Sequence, residues 1–230
     1  MDRVPETAIA TRPTAAGVVA VDQLAAQKVL RNTYLLLSAT LLWSSACAGL
    51  SMSLGLPYPG ILLTLVGFYG LLFAIGRLRN SAWSVALVFA LTGFMGYTLG
   101  PILSHYVRVI PNGGSVVMTA LGITGVAFLS LSAYAVVSRR SFSFMGSFLV
   151  VGSITAFVLG LVAVFFHLTG LSLAVAGLFT LLSCGIILWQ TGEIVNGGET
   201  NYVLATVTLY VQIYNMFLSL LQLLGLSSRN

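Results

Sequence analysis

Seven apolar stretches, most of them about as long as a membrane-spanning helix, follow one another along this chain almost without interruption. A helix needs about 20 apolar residues to cross a hydrocarbon core of roughly 30 Å. The composition agrees with a membrane location, because 58% of the residues are hydrophobic and only 7% are charged, against about a quarter charged in soluble domains. The sequence therefore predicts an all-α integral membrane protein with seven transmembrane helices.

The predicted spans are separated by charged residues or by turns rich in proline, glycine and asparagine. They cover residues 33–54, 60–76, 82–106, 116–137, 144–166, 171–192 and 202–226. Residues 1–29 carry charges of both signs and two prolines, a composition unlike that of a signal peptide. We predict a flexible cytosolic tail over 1–29 and a transmembrane domain over 30–230.

The lysines and arginines predict the orientation, because short cytoplasmic loops retain them. With the N-terminus inside, only Arg108 and Arg229 fall outside, and the cytoplasmic side carries the rest: Arg3, Arg12, Lys28, Arg31, Arg77, Arg79, Arg139 and Arg140. The N-terminus is predicted to be cytoplasmic, and an odd number of spans places the C-terminus on the opposite face. Basic residues this scattered form no stripe along a phosphate backbone, so nucleic acid is excluded as a partner.

A polar stripe runs along the seventh span. Thr208, Gln212, Asn215, Ser219 and Gln222 recur at helical spacing, and Gln190 and Glu193 share a face of the sixth span. Amides facing lipid without partners would cost several kcal/mol each. Two readings stay open: the two helices hydrogen-bond to each other across a common interior, or they line a polar cavity or gated path.

The predicted spans contain few residues that could act as acids, metal ligands or nucleophiles. Beyond the N-terminal tail the only acidic residues are Glu193 and Glu199, so a relay of several buried carboxylates is excluded. No carboxylate or cysteine is spaced to complete a metal site with His105 or His167, and hydrolase motifs are absent. We predict no catalytic residues, no metal site, no cofactor and no enzymatic activity.

Three segments resemble a known family: KVLRNTYLLLSATL at 28–41, GYTLGPILSHY at 96–106 and GGETNYVLATVTLYVQIYNMF at 197–217. They are similar to the Bax inhibitor 1 family, and GGETNY is similar to one bacterial branch of it. The resemblance implies a seven-helix bundle with the last helix packed inside the other six. It also implies a location in the bacterial inner membrane, where the C-terminus predicted from the odd number of spans would be periplasmic.

The resemblance implies two alternative functions. Members of the bacterial branch bind and modulate the membrane-bound AAA protease FtsH, with the protease's membrane-associated regulators as further partners. Other members are pH-regulated calcium leaks that use an aspartate pair on the sixth and seventh helices as a latch. Gln190 and Gln212 stand at those two positions here, and glutamine does not titrate, which argues against the leak.

Glu193 is the one acid near enough to replace the missing pair, and the latch arginine corresponds to Arg77 or Arg79. The predicted latch or polar cluster therefore comprises Gln190, Glu193, Gln212, Asn215, Arg77 and Arg79. A continuous pore past these residues would favour the leak, and a sealed polar cluster would favour the role as a protein partner.

Overall fold

The structure, a computed structural model, describes residues 15–227 and, of their side chains, those of residues 23–226. Seven helices make up the described chain, and each contains a segment long and apolar enough to cross a membrane. The helices are α1 Ala15–Ser53, α2 Ile61–Leu78, α3 Trp83–Val109, α4 Gly113–Ser138, α5 Met145–Phe165, α6 Thr169–Val195 and α7 Tyr202–Ser227. The all-α transmembrane prediction is confirmed, and the chain is a multi-pass membrane protein.

The start of the first helix differs from the prediction. α1 begins at Ala15, so residues 15–29, predicted as part of a flexible tail, are helical. This stretch contains five alanines and two glutamines, which favour a helix, but its charged residues Asp22 and Lys28 exclude it from a search for apolar spans. Residues 1–14, the rest of the predicted tail, lie outside the described residues.

Glycine faces bring neighbouring helices together. A side chain at Gly96 would meet the backbone carbonyl of Ser44 on α1, and one at Gly100 would meet Ser51 and the Ala48 carbonyl. Small residues matter in a membrane because helices there associate by close packing more than by burial of apolar surface. The glycines of α3 therefore form the surface on which α1 and α3 pack.

The last helix is central. More than half of its span, 56%, is buried inside the bundle, against 6% for α2 and 17% for α5. It packs against α6, α1, α4 and α3, whereas α2 packs chiefly on α3 and α5 chiefly on α6. Both α2 and α5 are therefore peripheral, and the polar residues of α7 lie inside the bundle.

Replacing Gly96 by leucine is expected to destabilise the protein by about 3 kcal/mol, because the added side chain would force α1 away from α3. The matched control is Gly122→Leu on α4, where an added side chain meets nothing within 4 Å. Reversible unfolding in mixed SDS micelles measures both variants. Equal stability of the two would contradict a tight contact between α1 and α3.

Candidate functional site

The two faces of α7 meet different surroundings in the bundle. One face carries the predicted stripe, of which Gln212, Asn215, Ser219 and Gln222 line cavities. The other face carries Tyr210 and Tyr214, whose side chains are buried. The helix therefore presents amides in one direction and phenol hydroxyls in the other.

A cavity of about 450 Å³ lies between α2 and α5, with α7 as its floor. We call it the α2–α5 cleft. Its apolar lining includes several aromatic side chains, and its polar side chains come from α2, α5 and α7. Representative lining residues are Phe68, Tyr69, Phe157, Phe179, Gln212 and Asn215. The rings of Tyr69 and Phe157 meet edge to face across the cleft, with centroids 6.0 Å apart.

A second cavity, of about 280 Å³, continues from the cleft along the polar stripe. It shares Phe157, Phe179 and Asn215 with the cleft and extends to Gln222, which donates a hydrogen bond to Ser172 on α6. A third cavity shares Val164 and Ser172 with the second and includes His167 in the turn between α5 and α6. The three cavities follow the stripe from mid-bundle to the α5–α6 turn.

The two glutamines that were predicted to stand at the family's aspartate positions have different surroundings. Gln212 accepts a hydrogen bond from Ser183 on α6 at 3.2 Å. Gln190 lies about two helical turns beyond Ser183, is only 4% exposed, and lines none of the three cavities above. The described contacts contain no hydrogen bond between the two glutamines. Ser183 was not predicted as a site residue, and it is the hydrogen-bond partner of Gln212.

Two tyrosines on the opposite face of α7 form a second polar network. The Tyr210 and Ser44 hydroxyls lie 2.6 Å apart, and Tyr210 also donates to the Thr92 carbonyl at 3.3 Å. The Tyr214 hydroxyl lies 3.2 Å from Thr98. These hydroxyls tie α7 to α1 and α3. This network was not predicted, although two tyrosines four residues apart in an apolar span were a visible signal in the sequence.

Hydrogen bonds between loops close the opposite end of the bundle, where α6 leads into α7. Glu193 accepts a hydrogen bond from Ser143 at 2.7 Å, and Asn196 donates to the Arg140 carbonyl at 3.2 Å. Asn201 donates to the Arg79 carbonyl at 3.1 Å, and its side-chain oxygen accepts from the first backbone N–H groups of α7, as N-cap residues do. One short loop thus joins α6 and α7 to two neighbouring loops.

The predicted latch residues do not gather at one point. The side chains of Arg77 and Arg79 are exposed, and the contacts of the described residues include no ion pair between either arginine and Glu193. Arg79 approaches α7 only through its backbone carbonyl, which Asn201 contacts. Gln212 and Asn215 lie in the α2–α5 cleft, apart from Glu193 at the closed end.

Comparison with known proteins identifies the family. Residues 26–229 match the sequence model of the family described as inhibitor of apoptosis-promoting Bax1. The chain belongs to the Bax inhibitor 1 family. It is 48% identical over 208 residues to the Escherichia coli K12 protein named modulator of FtsH protease YccA, covering 90% of this chain and 94% of that protein. It is 50% identical to an uncharacterised Pseudomonas aeruginosa protein, covering 86% of this chain and 89% of the relative.

A Vibrio cholerae relative, described as an uncharacterised membrane protein, is 41% identical over 208 residues, covering 90% of this chain and 93% of the relative. The GGETNY segment that resembles the bacterial branch of the Bax inhibitor 1 family forms the loop between α6 and α7. Gly197 adopts a φ of 78° there, a conformation that favours glycine. The most distinctive segment of the sequence therefore builds the closed end of the bundle.

Proposed function

We propose that this protein binds and modulates the membrane-bound protease FtsH in the bacterial inner membrane, without enzymatic activity of its own. The similarity to the E. coli protein named modulator of FtsH protease YccA carries the proposal, because it extends over 90% of this chain at 48% identity. A relative from a second E. coli strain, also 48% identical over 208 residues, is named inner membrane protein YccA. FtsH, together with the membrane-associated regulators of the protease, is the proposed partner.

The geometry favours this role over a calcium leak. The connected cavities run from mid-bundle to the α5–α6 turn, and none of them includes Gln190 or Glu193. At the other end, loop hydrogen bonds through Asn196 and Asn201 hold the helices together. An ion crossing this bundle would have to pass this hydrogen-bonded end, which the three cavities do not reach. A polar region closed on one side suits a protein that acts by binding a partner.

The distribution of charge supports an orientation with the N-terminus in the cytoplasm. Lys28, Arg31, Arg77, Arg79, Arg139 and Arg140 are all exposed, and α1, α2 and α4 place them at the closed end of the bundle. Among the described residues, Arg108 is the basic residue near the opposite end. Cytoplasmic loops are the ones that retain such residues, so we assign the closed end to the cytoplasm and the α5–α6 turn to the periplasm.

The N-terminal segment is the part of the chain that we propose as an entry point for the unfolding motor of the protease. An unfoldase engages a loose stretch of polypeptide more readily than a packed helix. Because α1 begins at Ala15, we restrict this role to residues 1–14, which lie outside the described residues, instead of the predicted 1–29. In this proposal the transmembrane domain contacts the protease, and the segment before α1 is the part that the unfolding motor engages.

Deletion of residues 2–14 is expected to leave the protein in the membrane and bound to FtsH, while its half-life lengthens severalfold in cells with active protease. Pulse-chase labelling measures the half-life, and co-purification after mild solubilisation measures binding. The matched control replaces residues 2–14 with a glycine and serine segment of equal length, which should restore rapid turnover. An unchanged half-life after deletion would remove the segment from the mechanism, and absence of co-purification would overturn the proposed function itself.

A further inference from the structure

We propose that the α2–α5 cleft binds a neutral lipid whose ring carries carbonyl groups, the chemical class of the membrane quinones. The cleft has the properties of a ligand site, since such sites enclose about 300–1,000 Å³ and combine apolar and aromatic walls with a few polar groups. The volume here is about 450 Å³. This ligand is independent of the proposed partnership with the protease.

The floor of the cleft offers hydrogen-bond donors that the protein leaves unused. Gln212 accepts from Ser183 through its side-chain oxygen, so its NH₂ group remains for another partner. Among the described contacts, Asn215 and Ser153, which also line the cleft, make no side-chain hydrogen bond. Since polar groups in a hydrocarbon environment are costly when unpaired, these donors favour a ligand that carries acceptors.

The depth of these hydrogen-bond donors in the membrane restricts which lipids could reach them. Gln212 lies ten residues into α7, about 15 Å from its first residue at 1.5 Å per residue, and the hydrocarbon core is about 30 Å thick. The amides therefore lie near the middle of the membrane. Ester carbonyls of phospholipids lie in the interfacial layer and do not reach this depth. A quinone ring is small and apolar enough to enter the hydrocarbon core with its carbonyls.

The walls of the cleft match a flat, uncharged ring. Phe68, Tyr69, Phe157 and Phe179 line it, and aromatic side chains pair favourably with other rings in offset or edge-to-face geometry. None of its lining residues is an Asp, Glu, Lys or Arg. A charged ligand would thus find no counter-ion at a depth where charge is expensive.

The cleft is accessible from the lipid. Tyr69 and Ile154, which line it, are 48% and 61% exposed, and they belong to α2 and α5, the two least buried spans. A ring can enter between these helices by parting the Tyr69 and Phe157 contact, and an alkyl or isoprenoid tail can remain in the bilayer. The alternative occupant of the cleft is water, which could reach Asn215 through the second cavity.

Photoaffinity labelling of the full-length protein in nanodiscs tests the proposal. An azido-quinone with a short alkyl tail should label peptides of α2, α5 and α7, as located by mass spectrometry. Excess decylubiquinone should suppress this labelling, and decylbenzene, which has a matched tail but no carbonyl, should not. Labelling spread over exposed α4 positions such as Val126, or left unchanged by decylubiquinone, would overturn the proposal and leave water as the occupant.

The double variant Gln212→Leu/Asn215→Leu should lower labelling of the cleft about ten-fold, because it removes the donors at nearly constant side-chain size. Gln222→Leu makes the same chemical change on the same helix face, outside the cleft, and should label like wild type. Equal labelling of the double variant and Gln222→Leu would contradict the assignment. If the double variant fails to fold by size-exclusion chromatography, the competition experiment on the wild-type protein decides.

Discussion

Liposomes that contain the purified protein are expected to show no proton-dependent calcium flux between about pH 6 and 8, the range that strongly perturbed carboxylates can reach. Two carboxylates held close share a proton, because their like charges raise one pKa, and such a pair can act as a pH switch. The resemblance to the Bax inhibitor 1 family places Gln190 and Gln212 at the pair's positions, and amides have no protonation step in this range. A calcium-sensitive dye inside the liposomes measures the flux.

The double variant Gln190→Asp/Gln212→Asp should likewise show no flux that changes with pH, because Gln190 lies about two helical turns beyond the Ser183 that contacts Gln212, and the two carboxylates would be too far apart to share a proton. The matched control is Gln190→Asn/Gln212→Asn, which has side chains of the same size without the charge. It should remain independent of pH, like the wild type. A wild-type flux that rises and falls with pH and disappears in Glu193→Gln would overturn this view, and would make Glu193 the gate instead of a helix-end acid held by Ser143.

The transmembrane architecture could be predicted from the sequence because one physical requirement dominates it. Every span must be apolar over the thickness of a bilayer, and that requirement shows in a simple count of residues. The first 15 residues of α1, 15–29, were predicted as part of the tail, and a different property determines their structure. They continue a helix beyond the apolar segment, where helix propensity and not hydropathy decides the structure.

The polar stripe of α7 was predictable for a related reason, since helical spacing alone places Gln212, Asn215 and Gln222 on one face. Which groups oppose that face depends on the rotation and height of the neighbouring helices, and spacing within a single helix carries no such information. The structure brings Ser183 and not Gln190 to Gln212. A serine in an apolar span is common and gives little signal by itself.

Replacement of Tyr210 by alanine is expected to destabilise the protein by on the order of 3 kcal/mol, the cost typical of removing a large buried ring. Tyr210 is 1% exposed and lies among α7, α1 and α3, where its hydroxyl contacts Ser44 and the Thr92 carbonyl. Tyr210→Phe keeps the ring and removes only these hydrogen bonds, so about 1 kcal/mol should be lost. Reversible unfolding in mixed SDS micelles measures both variants.

The matched control for this last prediction is Tyr134→Ala on α4, which removes a tyrosine that is 51% exposed. Surface substitutions usually change stability by less than about 0.5 kcal/mol, so this variant should unfold close to wild type. The ordering Tyr210→Ala, Tyr210→Phe, Tyr134→Ala, from most to least destabilised, follows from α7 as the packed centre of the bundle. If Tyr210→Ala were no less stable than Tyr134→Ala, α7 would not be held by its tyrosine face, and the contacts with α6 would have to position its amides alone.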